Sequence, residues 1–310
     1  MQCDQCEERA VYNELGKTYC KNHFLSYFEK KVEKTIKKYS LIQKNDKVCV
    51  ATSGGKDSLA ALYTTMLYCN EYKIPFFALA IDEGIAAYRD HTLKDLKTFC
   101  DKYNIQFRVI SFKKAFGKTL DEVQNKAITV LNKKPCTVCG IFRRTLLNRS
   151  ARELGATKLV TGHNLDDESQ SFLMNLLKGN MRHNAALGPV SGLSENEKFI
   201  TRVKPLYHMT ERETRLFCVL RKFEVNFNEC PNIHLSFRAN VRDVLNEIEN
   251  KSPGAKHGMI NAFLEILPEL KKKYREERKE FQYCKKCNDP CAGDICNACK
   301  QEAELCKEVV

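Results

Sequence analysis

The sequence predicts an α/β fold, with a parallel sheet covered by helices on both faces and a small cysteine-rich module at each end. Three observations carry this. Short apolar runs alternate with segments whose apolar residues recur at three- and four-residue intervals, a glycine-rich loop follows directly on the first run, and cysteine pairs gather near both termini.

The apolar runs at 48–52, 76–81, 107–112 and 158–161 read as strands, with another at 200–207. Segments 59–69, 92–103, 120–131, 143–154 and 167–177 read as the helices between them. Strands separated by helices pair in parallel, and such sheets hold ligands at the carboxyl ends of their strands.

The first strand runs into Ser53-Gly54-Gly55-Lys56-Asp57-Ser58. Adjacent glycines let the backbone turn sharply and approach an anion, Ser53 and Ser58 offer hydroxyls, and Lys56 supplies charge. Leu59, Leu62, Met66 and Leu67 mark the helix that follows, with its N-terminus aimed at the same anion. The Walker A spacing is absent. The hexapeptide instead resembles the PP-loop of ATP pyrophosphatases, which split ATP between the α and β phosphates.

Two more loops follow strands. Ile81-Asp82-Glu83-Gly84 is placed to meet adenine or ribose, or else is a solvated turn. In Thr161-Gly162-His163-Asn164-Leu165-Asp166-Asp167-Glu168, Gly162 permits close backbone approach, and Asp166 and Asp167 open a helix beside the expected phosphates. There Mg²⁺ can bridge carboxylate and phosphate oxygens. Their alternative role is to cap the helix, worth about 1 kcal/mol.

Sixteen cysteines in 310 residues fall into groups. Residues 1–20 are polar and lack a secretory apolar stretch, and the longest apolar run, 74–81, is far too short to span a bilayer. The expectation is a cytoplasmic chain with no membrane insertion, in which paired cysteines bind metal or do chemistry. Cys3-x2-Cys6-x13-Cys20-x2-His23 and Cys284-x2-Cys287-x8-Cys296-x2-Cys299 each provide four soft ligands in two close pairs. Both predict a structural Zn²⁺ with no open position. Cys291 lies between the last two pairs and matches the knuckle spacing less well. Cys49, Cys69, Cys100 and Cys218 stand singly in apolar or helical context, as buried thiols do.

Cys136-x2-Cys139 with a distant Cys230 makes an odd set, flanked by basic residues. Three thiolates can hold three irons of a cubane cluster and leave the fourth open, or two can form a redox pair while the third carries a persulfide.

The net charge is +12, from 51 basic and 39 acidic residues, which favours a polyanionic partner. Lys30, Lys31, Lys34, Lys37 and Lys38 crowd a helical segment whose Phe24, Phe28, Val32 and Ile36 form an apolar stripe. A second run, Lys271, Lys272, Lys273, Arg275, Arg278 and Lys279, precedes the last cysteine module. Arg143, Arg144, Arg149 and Arg152 follow the central pair, and together these groups point to nucleic acid.

Taken together, these motifs resemble the PP-loop tRNA 2-thiouridine synthetases of the TtuA/NcsA type. The likeness spans nearly the whole chain: both terminal modules, Ser53 to Ser58, Pro135-Cys136-x2-Cys139-Gly140, Gly162 to Glu168, and Asn228-Glu229-Cys230-Pro231. It implies a [4Fe–4S] cluster on Cys136, Cys139 and Cys230. ATP is implied at Ala51, Thr52, Ser53, Gly54, Gly55, Lys56, Asp57, Ser58, Ile81, Arg143, Gly162, Asp166 and Asp167. The catalytic residues implied are the three cysteines with Asp57, Asp167 and Arg143. Some relatives carry a lysine four residues after the second cluster cysteine; Arg143 stands there, able to stabilise phosphate charge but not to act as a base.

The implied organisation is an N-terminal zinc-binding module (1–24), a basic linker helix (25–45), a PP-loop ATP pyrophosphatase domain holding the iron–sulfur site (46–250), a C-terminal helical segment (251–283) and a C-terminal zinc-binding module (284–310). The implied reaction is 2-thiolation of a tRNA uridine, at wobble position 34 or T-loop position 54 with 34 expected. A ubiquitin-like thiocarboxylate protein or free sulfide donates the sulfur, and the enzyme is a homodimer. The rival readings are a cluster-free persulfide mechanism, an ATP pyrophosphatase for nitrogen transfer, and a non-enzymatic zinc adaptor for RNA.

Overall fold

The computed structural model describes residues 1–193, 196–225, 230, 237–277 and 282–306. A hairpin of β1 (Tyr12–Glu14) and β2 (Lys17–Tyr19) leads into α1 (Lys21–Lys38), followed by β3 (Val48–Ala51), α2 (Lys56–Tyr72), β4 (Phe76–Asp82), α3 (Tyr88–Lys102) and β5 (Phe107–Ser111). Next come α4 (Phe112–Phe116), α5 (Leu120–Thr129), α6 (Pro135–Glu153), β6 (Lys158–Val160), α7 (Leu165–Leu177), α8 (Met181–Ala185), β7 (Val190–Ser191) and β8 (Thr201–Val203). Helices α9 (Glu211–Leu220), α10 (Phe237–Lys251) and α11 (Ala255–Glu276) precede a hairpin of β9 (Gln282–Tyr283) and β10 (Pro290–Cys291), and α12 (Asn297–Leu305) ends the described chain.

The main sheet runs β5-β4-β3-β6-β8-β7. All its pairings are parallel except β7 with β8 at the edge. The chain moves outward from β3 to β4 and β5, then returns to β6 on the other side of β3, so the loops after β3 and β6 diverge at a topological switch point. Alternation along the strands loads both faces. Val48, Val50, Ala78 and Ala80 pack with Leu59, Leu62 and Leu96, while Cys49, Phe77 and Leu79 pack with Ala151 and Leu159.

Several expected boundaries shift for local reasons. The helix expected at 143–154 begins at Pro135, because proline at a helix start gives up no hydrogen bond and has the right φ. Cys136 and Cys139 therefore sit on one face of its opening turns. The strand expected over 200–207 stops at Val203, since the backbone N–H of Lys204 turns to the carbonyl of Pro189. Edge strand β7 was not foreseen; two residues are too few for a pattern. Helix α9 also went unread, although Thr210 and Glu213 form the capping box that its sequence spells.

Both terminal modules are fastened to this core. The N-terminal one continues directly into α1, whose Phe24, Phe28, Val32 and Ile36 are buried, with Phe28 stacked on Phe217 at 4.0 Å. Buried Glu213 of α9 accepts hydrogen bonds from Tyr12, Tyr27 and Lys31. At the other end, Ala298 and Leu305 of α12 join the cluster around Phe112, Phe116 and Phe142. No helix among the described residues is long and apolar enough to cross a membrane.

Candidate active site

The loop after β3 is shaped by its own hydroxyls. The Ser53 backbone N–H donates to Ser58 Oγ at 3.1 Å, and Ser58 Oγ donates to the carbonyl of Gly55 at 2.8 Å. Gly54 adopts φ +86°, and a Cβ there would lie 2.6 Å from the carbonyl oxygen of Thr92, so only glycine fits. Helix α2 starts at Gly55 with no side-chain cap, which leaves its first N–H groups open to an anion. Thr52 is buried behind the loop, its N–H bonded to the carbonyl of Leu79.

Lys56 points into a ring of acids: Asp57 Oδ2 lies 2.9 Å from its Nζ and Glu211 Oε1 2.8 Å. Burial works against the ammonium, but the two carboxylates more than offset it and its pKa is raised. Asp57 itself is pushed up to about 6, first by burial and further by Asp167, against the pull of Lys56. Burial also raises Asp167, opposed by Arg238 3.3 Å away. Asp167 raises Asp57 and Glu211 raises Asp167, so this group of acids is short of positive charge, and Asp57 with Asp167 fits Mg²⁺.

The loop after β6 is pressed onto this one. A Cβ on Gly162 would lie 2.8 Å from the backbone of Asp57, and Asn164 Nδ2 donates to Asp57 Oδ1 at 2.9 Å. Asn164 and Asp167 form the capping box of α7. Asp166 is turned elsewhere: it is buried, ion-paired with Lys256, and accepts the N–H of Glu211 at 2.7 Å. With both oxygens engaged and its side chain only 8% exposed, against 26% for Asp57 and 31% for Asp167, it is an anchor for α9 and α11 rather than an open ligand.

Arg89, which the sequence did not single out, joins the third loop to the first. Buried in α3, its guanidinium donates to the carbonyls of Ile81 and Ser53, the latter at 2.6 Å, and pairs with Glu83 at 2.8 Å. Glu83 is thus neither a solvated turn residue nor a free ligand. Its other oxygen faces Arg143 at 3.7 Å. A lone arginine at the second position of a helix gives little sequence signal; the buried acid beside it exists only in the fold.

Arg143 lies over the central cysteines. Cys136 is exposed, and Cys139 and Cys230 are half-buried beside Phe142 and Ile81. Burial pushes Cys139 up to about 12; Arg143 acts the other way, while Glu83, Cys230 and Cys136 add to the rise. Cys136 is raised by burial and by Cys230, against Arg143. Cys230 thus acts electrostatically on both Cys136 and Cys139, from 94 and 91 positions along the chain. Asn228, Glu229 and Pro231 of the same motif lie outside the described residues.

Among the described residues, the terminal quartets are the groups compact enough for one ion. The sulfurs of Cys3, Cys6 and Cys20 lie 3.3–3.4 Å from His23 Nδ1, and Cys287 and Cys296 are 3.6 Å apart. Tetrahedral Zn²⁺ with bonds near 2.3 Å spaces its ligands about 3.5–3.8 Å apart, so both quartets fit. Cys291 stays outside, its thiol donating to the carbonyl of Gly293. Among the described residues the central trio forms no such compact group.

Residues 25–248 match the family model of the PP-loop domain. The tRNA 2-thiolation protein NcsA of Haloferax volcanii is 31% identical, over 97% of this chain and 98% of that protein. The tRNA-5-methyluridine(54) 2-sulfurtransferase of Pyrococcus horikoshii is 35% identical, over 97% and 93%. Among solved structures, the U34-tRNA thiolase NcsA from Methanococcus maripaludis with its [4Fe-4S] cluster superposes with a TM-score of 0.82 at 31% identity, covering 99% of this chain and 97% of that one. This is a PP-loop protein by fold and by site. Within that class it belongs to the NcsA/TtuA family of tRNA 2-thiolation proteins.

Proposed function

We propose that the protein is an ATP-dependent tRNA-uridine 2-sulfurtransferase acting on wobble uridine 34. The observation that carries this is the continuous link from loop to cysteines: Ser53 to Arg89, Arg89 to Glu83, Glu83 to Arg143, and Arg143 over Cys139. Phosphate chemistry and thiol chemistry share one framework. Position 34 is supported by the Methanococcus thiolase, which acts at U34 and matches almost the full length of both chains.

The C2 oxygen of uracil is a poor leaving group and needs activation. Its attack on the α-phosphate of ATP yields an adenylated base and pyrophosphate, and sulfide then displaces AMP at C2 with no net oxidation. Open N–H groups at the start of α2, with the Ser53 and Ser58 hydroxyls beside them, would receive the pyrophosphate, and Ala51, Thr52 and Ile81, at or beside the carboxyl ends of β3 and β4, would take the nucleoside. Lys56 leaves Glu211 for phosphate. Bound Mg²⁺, held by Asp57 and Asp167, would neutralise charge on the departing oxygens. Cys136, Cys139 and Cys230 would hold a [4Fe–4S] cluster, whose open iron supplies a place for sulfide. Arg143, half-exposed between the two centres, stabilises the negative charge on the α-phosphate.

Two Zn²⁺ ions, a sulfide or thiocarboxylate-protein donor, and a homodimer complete this reading. Nucleoside mass spectrometry with position mapping tests it: tRNA incubated with ATP and sulfide under anaerobic conditions gains 2-thiouridine at position 34. Product at position 54 would move the assignment to the other uridine, and no 2-thiouridine would end it. Iron and acid-labile sulfide near zero, with activity retained, would replace the cluster by a persulfide.

A further inference from the structure

The basic groups that point to nucleic acid in the sequence are not equally available in the fold. Arg149 and Arg152 both pair with Asp289, which locks the C-terminal module to α6. Lys31 is consumed by Glu213 and Lys37 by Glu33. Arg278 and Lys279 lie outside the described residues. Arg144 and Arg202 behave differently: among the described residues neither guanidinium has a carboxylate partner, and Arg202 NH2 donates to the carbonyl of Arg144 at 3.3 Å.

Arg202 stands where two grooves meet, and Arg144 lines one of them. One, of about 500 Å³, lies between α6 and the C-terminal module and is lined by Arg144, Arg202 and Lys300. The other, of about 670 Å³, passes β7 and β8 to α11 and is lined by Arg202, Lys271 and Arg275. Asn148, Phe199 and Arg202 line both, so they form one continuous channel. Among the described residues two acids line it, Asp289, already engaged, and Glu197. Burial lowers Arg202 to about 10, with Arg144 adding to the shift, and lowers Lys271 to about 8, with Arg275 and Lys204 adding to it. A five-cation channel with an exposed aromatic ring, Phe199, is built for a phosphodiester strand.

We propose that this channel, centred on Arg144 and Arg202, holds the sugar–phosphate backbone of the tRNA and leads it along α6 towards Arg143 and Cys139. The proposal rests on the tRNA reading above and adds the surface. Phosphate binding pulls the two guanidinium groups into use, and the C-terminal module forms one wall of the channel rather than contacting RNA as a separate finger.

The test uses the full zinc-loaded chain, an unmodified tRNA transcript, and direct binding measured across several salt concentrations. In Arg144→Ala/Arg202→Ala, tRNA affinity falls about tenfold or more, and the slope of log K against log salt becomes shallower by about 1.5, the release of roughly two phosphate contacts. ATP affinity stays at the wild-type value, and Arg144→Lys/Arg202→Lys recovers most of the tRNA binding. Lys37→Ala changes affinity less than twofold. Wild-type tRNA affinity and slope in the double alanine variant would overturn the channel while leaving the thiolation reading intact. Loss of binding to an acidic sulfur-donor protein instead would reassign the surface to that partner. Absence of tRNA binding by the wild-type chain would overturn both.

Discussion

The terminal and central cysteines use one residue type to opposite ends. Each terminal quartet brings four ligands within 4.8 Å, mostly buried, on short segments fastened to the core. Of the central three, Cys136 is exposed and Cys139 and Cys230 are half-buried, with Cys136 and Cys139 in the opening turns of α6 and within the field of Arg143. A closed ligand set spends its metal on folding; an incomplete one leaves a coordination position for chemistry. The location of the arginines follows the same division, paired where the chain is being held together and unpaired where a polyanion is expected.

The largest effect should come from breaking a closed site. Cys20→Ala removes one of four ligands, and much of the ~10 kcal/mol that a structural zinc supplies to its module is lost. Calorimetry with metal analysis should show one zinc fewer and a melting temperature lower by about 10 °C or more. Cys136→Ala should move the melting temperature by less than about 2 °C yet abolish 2-thiouridine formation. Equal thermal losses in the two variants would erase the distinction.

Arg89→Met comes next, since it strands buried Glu83 and frees the carbonyls of Ser53 and Ile81. Losing one partner of a buried pair costs about 3–5 kcal/mol, seen as a lower denaturant midpoint. Arg143 should not substitute, being half-exposed and 3.7 Å away. Gly162→Ala is smaller, about 1–3 kcal/mol of overpacking against the Asp57 backbone, and titration calorimetry should show ATP affinity reduced about tenfold. An unchanged affinity would mean that the two loops can part without harm.

The smallest effect is a pH dependence beneath the N-terminal module. His208, bonded to Tyr39, is lowered to about 4 by burial, with Lys38, Lys31 and His257 adding to the shift. Its folded pKa lies below the ordinary 6.5, so the unfolded chain takes up more protons between those values. Stability is full above about pH 6.5 and declines as pH falls towards 4. Thermal melts at pH 7 and 5 should show the decline, and His208→Gln should flatten it.

Much of this was legible in the sequence because local chemistry repeats locally. Glycines at 54 and 55 behind an apolar strand, and cysteine pairs at x2 spacing, need only neighbouring residues to declare a phosphate loop and a metal knuckle. Arg89 and Glu211 were not legible, because neither has a partner within the local pattern. Asp166 and Asp167 illustrate the limit most sharply: adjacent, identical in type, and read alike, they diverge because α-helical geometry turns neighbours about 100° apart. One meets Lys256 of α11 and the other faces Asp57.

By itself the sequence determined the element types, the glycine loop after β3, the two terminal quartets compact enough for one ion and the excess of positive charge. Those follow from periodicity, backbone freedom and ligand count, which are properties of short segments. Only the tertiary structure decided which charges remain available. Ion pairs such as Arg149 with Asp289 and Lys31 with Glu213 join residues 140 and 182 positions apart, and burial sets their strength. Arg144 and Arg202 stay uncompensated for the same reason: the fold brings two positive groups together and no described carboxylate to meet them.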